Sequence, residues 1–232
     1  MKTSTIEVIK VVAAALGELN SRAVFVGGAT VPFYLPEVYL PLIRPTEDID
    51  VIMEIIGQHA GAINDKELRA QGFQHDTSQG APICRWIYRD IKVDIMSTDA
   101  SSVGFTNQWY KEGLNNTVEI ISEPVAVKIL SLPYFLATKL VAFHSRGRND
   151  FMGSSDMEDI ISILEVANQD LLEKALPHVS QDLRSYLKKQ FQELLDTSDF
   201  LDCLPGVVFN RTNTSESVTA VLERLKSIIK NS

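Results

Sequence analysis

The chain has 232 residues, with 30 acidic against 22 basic side chains and a formal net charge of −8. A chain this long buries roughly 70–75% of the surface its unfolded form exposes, so it needs neither a disulfide nor a metal to fold. Its two cysteines, Cys84 and Cys203, are too far apart for zinc or redox spacing, and a sequence pI near 5 excludes a protein that coats nucleic acid over its whole surface.

The N-terminal residues lack the apolar core of a signal peptide, and Glu7 and Glu18 interrupt any such pattern. No run of about 18 apolar residues exists, so no membrane span is expected and the expected location is the cytoplasm. Ile6, Ile9, Ala13 and Leu16 recur at helical spacing, which predicts a helix over 5–20. Ala23-Val-Phe-Val26 predicts a short strand that stops at Gly27-Gly28. Pro32, Pro36, Pro41 and Pro45 then rule out one long helix. A second strand is expected over 49–55 and a helix over 57–71. Two further strands, 83–88 and 91–96, meet at Arg89-Asp90 as a tight hairpin. A last strand is expected at 118–121. Beyond Pro124 the periodicity becomes helical, over 125–131, 133–146, 156–167, 180–195 and 215–230. The expected organisation is a mixed α/β domain over 1–123 and a helical domain over 124–232.

The chemistry concentrates in Arg44-Pro-Thr-Glu-Asp-Ile-Asp-Val51. Strand residues i and i+2 share a face, so Asp48 and Asp50 project together while Ile49 and Val51 turn to the core. Adjacent carboxylates repel, and a divalent cation is the usual way to offset that cost. Asp94, in Ile91-Lys-Val-Asp-Ile-Met96, projects in the same manner; Asp90 and Asp99 stand close by as alternatives to it. Three carboxylates on neighbouring strands form a hard-oxygen site suited to Mg²⁺ or Mn²⁺. Gly27-Gly28 either makes only a strand-to-helix turn or offers backbone N–H groups to phosphate oxygens.

A Gly-Gly turn after a strand, then Asp48-Ile-Asp50, then Asp94 resembles the pattern of the polymerase-β-like nucleotidyltransferases. Within that superfamily the chain looks most like the AbiEii/AbiGii-toxin type, where Thr46-x-Asp-h-Asp matches the end of the motif. The block Leu136-Ala-Thr-Lys-Leu-Val-Ala-Phe-His-Ser-Arg-Gly-Arg148, followed by Ser155-Asp-Met-Glu-Asp-Ile160, resembles a later part of the family pattern. The likeness covers roughly residues 22–165. One departure is the 29–47 interval between Gly28 and Asp48, longer than is usual in the family, which places an inserted loop over 31–45.

The resemblance implies a mixed sheet flanked by helices and a helical C-terminal half that completes an active-site cleft. It implies Mg²⁺ or Mn²⁺ on the catalytic Asp48, Asp50 and Asp94, with Gly27, Gly28, Thr46, Lys139, Arg146 and Asp156 as nucleotide and phosphate ligands. The implied reaction transfers NMP from an NTP to a hydroxyl acceptor, with tRNA or another RNA as a candidate acceptor and an antitoxin protein as a candidate partner. An aminoglycoside-like small molecule is the alternative acceptor, and a nucleotide- or partner-binding module without turnover is the alternative class. On spacing alone, Lys139 and Arg146 share one helix face that is either phosphate-facing or solvated. Asp156 and Asp159 could simply favour a helix N-terminus, with Ser154 or Ser155 as its cap. Residues 124–149 contain no acid, only Lys128, Lys139, Arg146 and Arg148 as bases, so the acidic balance does not extend to this window.

Overall fold

The computed structural model describes residues 4–53, 60–98, 107–121, 123, 125–147, 150–209 and 213–231. The chain forms two compact units, one of Met1–Thr30 with Arg44–Ser131, the other of Val31–Ile43 with Leu132–Ser232. Among the described residues, no helix is long and apolar enough to cross a membrane.

The first unit is built on a mixed sheet. Its strands are β1 (Ala23–Val26), β2 (Asp48–Met53), β3 (Gln74–His75), β4 (Arg85–Tyr88), β5 (Ile91–Ser97), β6 (Thr117–Ile120) and β7 (Val127–Leu130), in the order β3-β4-β5-β2-β1-β7-β6. Pairing is parallel for β2 with β5 and for β1 with β7, and antiparallel elsewhere. All four residues of β1 are buried. An unbroken apolar run of this kind marks a strand covered on both faces. Helix α1 (Thr5–Leu16) turns Ile9, Val12, Ala13 and Leu16 inward, and the Ser4 side chain accepts the Glu7 N–H to cap it. It ends four residues earlier than its periodicity predicts. Gly17, at φ +56°, breaks the helix, and the chain continues as a 3₁₀ segment over Gly17–Arg22. Helices α2 (Ala60–Ala70) and α3 (Tyr110–Gly113) complete the unit.

Residues 125–131, expected as helix, instead contain β7. Val127 and Ile129 are buried and Lys128 between them is not, which is the alternation of a strand. So short a stretch cannot nucleate a helix of its own, whereas beside β1 its apolar residues gain a covered face.

In the second unit, α4 (Leu132–Ser145) is apolar almost all round, and ten of its residues are buried. A helix of that composition belongs at the centre of its unit. Helices α5 (Ser155–Val166), α6 (Gln169–Ala175) and α7 (Gln181–Leu195) lie against it, followed by α8 (Ser198–Val207) and α9 (Thr214–Asn231). The periodicity did not reveal α6, which is only seven residues long, or α8, which carries Pro205 and Gly206 near its end. The proline-rich 31–45 stretch is not featureless loop. Glu37–Leu42 is a 3₁₀ segment, Val31, Tyr34 and Leu35 are buried, and the Tyr34 ring meets Phe135 at 4.8 Å.

The β4–β5 hairpin turns at Arg89-Asp90, as expected, but Arg89 sits at φ +54°. A left-handed backbone costs an L-residue roughly 1–2 kcal/mol. Arg89→Gly is therefore expected to raise stability by up to about 1 kcal/mol, since the greater unfolded-state freedom of glycine offsets part of the relief. Arg89→Val is expected to lower it, because a β-branched residue tolerates positive φ worst. Thermal unfolding of the two variants checks both signs.

Candidate functional site

Strand β2 opens with the alternation that its sequence predicts: Asp48 and Asp50 half-buried, Ile49 and Val51 buried. The parallel register sets Asp50 beside Asp94 and Asp48 beside Lys92, on strands about 4.8 Å apart. Asp94 is only 8% exposed. The three sequence-predicted carboxylates therefore stand on one face of the sheet, at the start of β2 and the middle of β5. Asp90, the nearby alternative to Asp94, is in the hairpin turn, and Asp99 lies outside the described residues.

On the other side of β5, the antiparallel hairpin places Arg85 opposite Asp94. Arg85 Nε donates to Asp94 Oδ1 at 2.8 Å, and Nη2 donates to Asp94 Oδ2 at 2.7 Å and to Asp48 Oδ2 at 2.8 Å. One guanidinium thus bridges two carboxylates on separate strands, with the charge-assisted, forked geometry that makes arginine–carboxylate pairs strong. Hydrogen bonding to Asp94 raises the Arg85 pKa well above its ordinary value; burial opposes this, and the Asp94 and Asp48 charges reinforce it. Burial, then the charge of Asp94, pushes the neighbouring Cys84 thiol up, so it is kept protonated rather than poised as a nucleophile.

Gly27, at φ +71°, ends β1 beside Asp50, which pairs with Val26. A Cβ on Gly27 would lie 2.0 Å from Asp50 Oδ2. The Asp50 carboxylate thus occupies the space that any other residue would fill. Thr30 closes the turn, its N–H and its hydroxyl both donating to the Gly27 carbonyl. Gly28 starts a 3₁₀ segment rather than an α-helix, so the expected phosphate-binding N-terminus is a short one. Thr46 Oγ1, two residues before Asp48, is buried with no hydrogen-bond partner. A buried hydroxyl left in that state is uncommon and calls for a partner.

Among the described residues, no three His, Cys, Asp or Glu side chains converge as ligands of one metal ion. The donors nonetheless suit one: Asp48 and Asp94 already converge on a cation, the Arg85 guanidinium, and hard carboxylate oxygens favour Mg²⁺ or Mn²⁺.

The helical unit carries the second group of expected residues. Lys139 is 4% exposed and Asp156 2%. Lys139 Nζ lies 3.0 Å from Asp156 Oδ1 and 2.5 Å from Asp159 Oδ2. Arg146 meets Asp156 from the solvent side, Nε to Oδ2 at 2.8 Å and Nη2 to Oδ1 at 3.0 Å. Burial works against the Lys139 ammonium, yet the Asp159 and Asp156 charges hold its pKa above the usual lysine value. Burial likewise opposes ionised Asp156, but Arg146 and Lys139 keep its pKa below the usual carboxylate range. Ser154 caps α5, accepting the Met157 N–H, and Arg146, Asp150, Ser154 and Asp156 line an open hollow of about 410 Å³. Arg148 lies outside the described residues.

Sequence reasoning missed Arg85, although its signal was present. A two-residue turn at Arg89-Asp90 pairs Tyr88 with Ile91, and three steps along that ladder Arg85 faces Asp94. The resemblance implies a site role for Asp156 and none for Asp159, yet Asp159 approaches Lys139 more closely.

No protein-family model matches the chain, and no curated protein sequence matches it. Among solved structures, it is similar to an antigenic nucleotidyltransferase-like protein from Paracoccidioides brasiliensis. The TM-score is 0.54 and the identity 18%, over 86% of this chain and 94% of that one. It also aligns with JHP933 from Helicobacter pylori at a TM-score of 0.45 and 15% identity, over 97% of this chain and 90% of that one. At these identities the first likeness establishes the fold: a mixed sheet with flanking helices, as the sequence predicts, with seven strands where the sequence offers five, β3 and β7 being the additions.

Two outcomes follow from this geometry. Gly27→Ala is expected to cost more than the roughly 1–2 kcal/mol of positive φ alone, because the new methyl also displaces Asp50; denaturant unfolding measures it. Lys139→Met leaves two buried carboxylates short of a cation and is expected to destabilise by about 3–5 kcal/mol near neutral pH. The sign with pH is definite. Asp156 has a depressed folded pKa, so its stabilising share is present above the ordinary aspartate value of about 4 and fades as pH falls through and below it. The wild-type advantage over Lys139→Met should therefore shrink towards pH 3 in unfolding curves.

Proposed function

We propose that this protein is a divalent-metal-dependent nucleotidyltransferase that moves a nucleoside monophosphate from an NTP to a hydroxyl acceptor and releases pyrophosphate. The observation that carries this is the placement of Asp50 beside Asp94, with Asp48 on the same face and the Gly27 turn closed around Asp50. The likeness in fold supports it.

Asp48, Asp50 and Asp94 would hold the metal. When bound, Mg²⁺ or Mn²⁺ neutralises charge on the triphosphate and makes the acceptor hydroxyl easier to deprotonate. The protein's own part is placement. Gly27 and Gly28 leave room for the carboxylates and for phosphate oxygens, and the unpaired Thr46 hydroxyl is suited to donate to one of those oxygens. Asp94, nearly enclosed, is suited to accept the acceptor's proton. In the helical unit, Arg146 is the phosphate-contacting candidate because its side chain is 66% exposed, while Asp156 pairs with it and is itself held by Lys139. Positioning and charge neutralisation supply the catalysis, and no covalent enzyme intermediate is needed.

For the acceptor we favour RNA, tRNA included, in keeping with the resemblance to toxin-type enzymes; an antitoxin partner belongs to the same proposal. The Arg85 fork favours a second reading. A guanidinium already satisfies Asp48 and Asp94, which suits a module that binds nucleotides or a partner without turnover.

Incubation with each α-labelled NTP, Mg²⁺ or Mn²⁺, and either total RNA or an aminoglycoside separates these possibilities. Label is expected on RNA, with a loss of at least about 10²–10³-fold in Asp50→Asn and in Asp94→Asn. Transfer that survives both substitutions would sink the mechanism. Label on the small molecule alone removes the toxin assignment, and NTP binding with no product supports the module.

A further inference from the structure

Arg85 stands where a cation shared by Asp48 and Asp94 has to stand. Its Nη2 lies 2.8 Å and 2.7 Å from one oxygen of each carboxylate. A divalent ion ligated by those same oxygens would sit roughly 2.0–2.6 Å from them. Guanidinium and ion therefore compete for one position. The sheet also provides a place for a displaced Arg85. The β3–β4 register pairs Gln74 with Ile87 and His75 with Trp86, and Asp76 donates its backbone N–H to the Arg85 carbonyl at 3.0 Å. Arg85 is thus flanked across the ladder by Asp94 on one side and by Asp76 on the other. Asp76 already feels the Arg85 charge, although its low pKa comes first from its hydrogen bonds with Ser78.

We propose that Arg85 is a displaceable counter-ion: it clamps Asp48 and Asp94 in the metal-free protein and must release them towards Asp76 before a divalent ion can enter. Arg85 is then a positioning residue that sets the affinity for metal, and it neutralises part of the carboxylate charge until metal arrives. Without a cation, Asp48 and Asp94 would repel each other on adjacent strands. A rigidly held arginine would exclude the ion altogether, whereas a side chain with carboxylates on both sides can exchange between them at little cost. The inference rests on the metal-dependent reading above, but its test does not use catalysis.

Mn²⁺ titration by calorimetry, with thermal unfolding in the presence and absence of Mn²⁺, is run on wild type, Arg85→Gln and Arg85→Lys. If the clamped state is populated at 90–99%, Arg85→Gln should bind Mn²⁺ about ten- to a hundredfold more tightly than wild type. Arg85→Lys, which cannot fork, should fall between them. Without metal, Arg85→Gln should melt below wild type, and Mn²⁺ should restore most of the difference. Wild type alone provides a second measurement: the signal of the Arg85 Nε–H, which donates to Asp94 without metal, should be lost or shifted in an ¹⁵N spectrum on Mg²⁺ saturation. Equal or weaker Mn²⁺ binding by Arg85→Gln overturns the proposal, as does destabilisation that Mn²⁺ does not relieve, or an Arg85 signal unchanged at Mg²⁺ saturation. If these results come out as expected while no NTP labels any acceptor, the transferase assignment fails and the counter-ion role stands.

Discussion

Like charges on adjacent strands are costly, and the arrangement of the first unit turns on how that cost is met. Asp50 and Asp94 are register neighbours on β2 and β5, with Asp48 two residues back on the same face. Three ionised carboxylates within the spacing of two strands are costly unless positive charge stands among them or one takes up a proton. For Asp48 and Asp94 that charge comes from Arg85, which the β4–β5 hairpin places opposite Asp94. The paired arginine is thus both a structural necessity and a competitor for any ion the carboxylates would bind.

Close packing around Asp50 adds a second constraint. Its carboxylate occupies the position of the missing Gly27 side chain, so the turn after β1 and the start of β2 have to be built together. Gly27 meets two demands at once: a positive φ that L-residues avoid and a volume that no side chain can enter. The buried and unpaired Thr46 hydroxyl lies just upstream of these carboxylates in the chain. An unsatisfied buried donor is costly in an ordinary core but reasonable where a ligand oxygen completes it.

The helical unit meets the same electrostatic demand with different residues. Lys139 projects from the most apolar helix of the unit, where an ammonium would not remain charged alone. Asp156 and Asp159 approach it from α5, and Arg146 caps the outer oxygens of Asp156. Such a cluster contributes little net stability compared with apolar packing, but removing one member leaves a buried charge uncompensated. Each described base of the acid-free window over 124–149 thus has a partner. Lys139 is neutralised by partners from beyond the window, Lys128 donates to the Ser21 carbonyl, and Arg146 alone of the three combines a carboxylate partner with wide exposure.

Several features were legible from the residues alone because they depend on local periodicity. The alternation in Asp48-Ile-Asp-Val51 placed two carboxylates on one face, the apolar run of β1 marked a central strand, and heptad-scale spacing located α1, α4, α5, α7 and α9. Where local signals were weak or contradictory, the fold followed long-range partners instead: residues 125–131 became β7 because β1 was there to pair with, and α6 and α8 form despite short length or a proline. The sequence by itself determined which side chains could carry charge and on which side of each strand they stood. Only the tertiary structure decided who neutralises whom, since the distance between a guanidinium at 85 and a carboxylate at 48, or between an ammonium at 139 and carboxylates at 156 and 159, is set by strand register and helix packing rather than by separation along the chain.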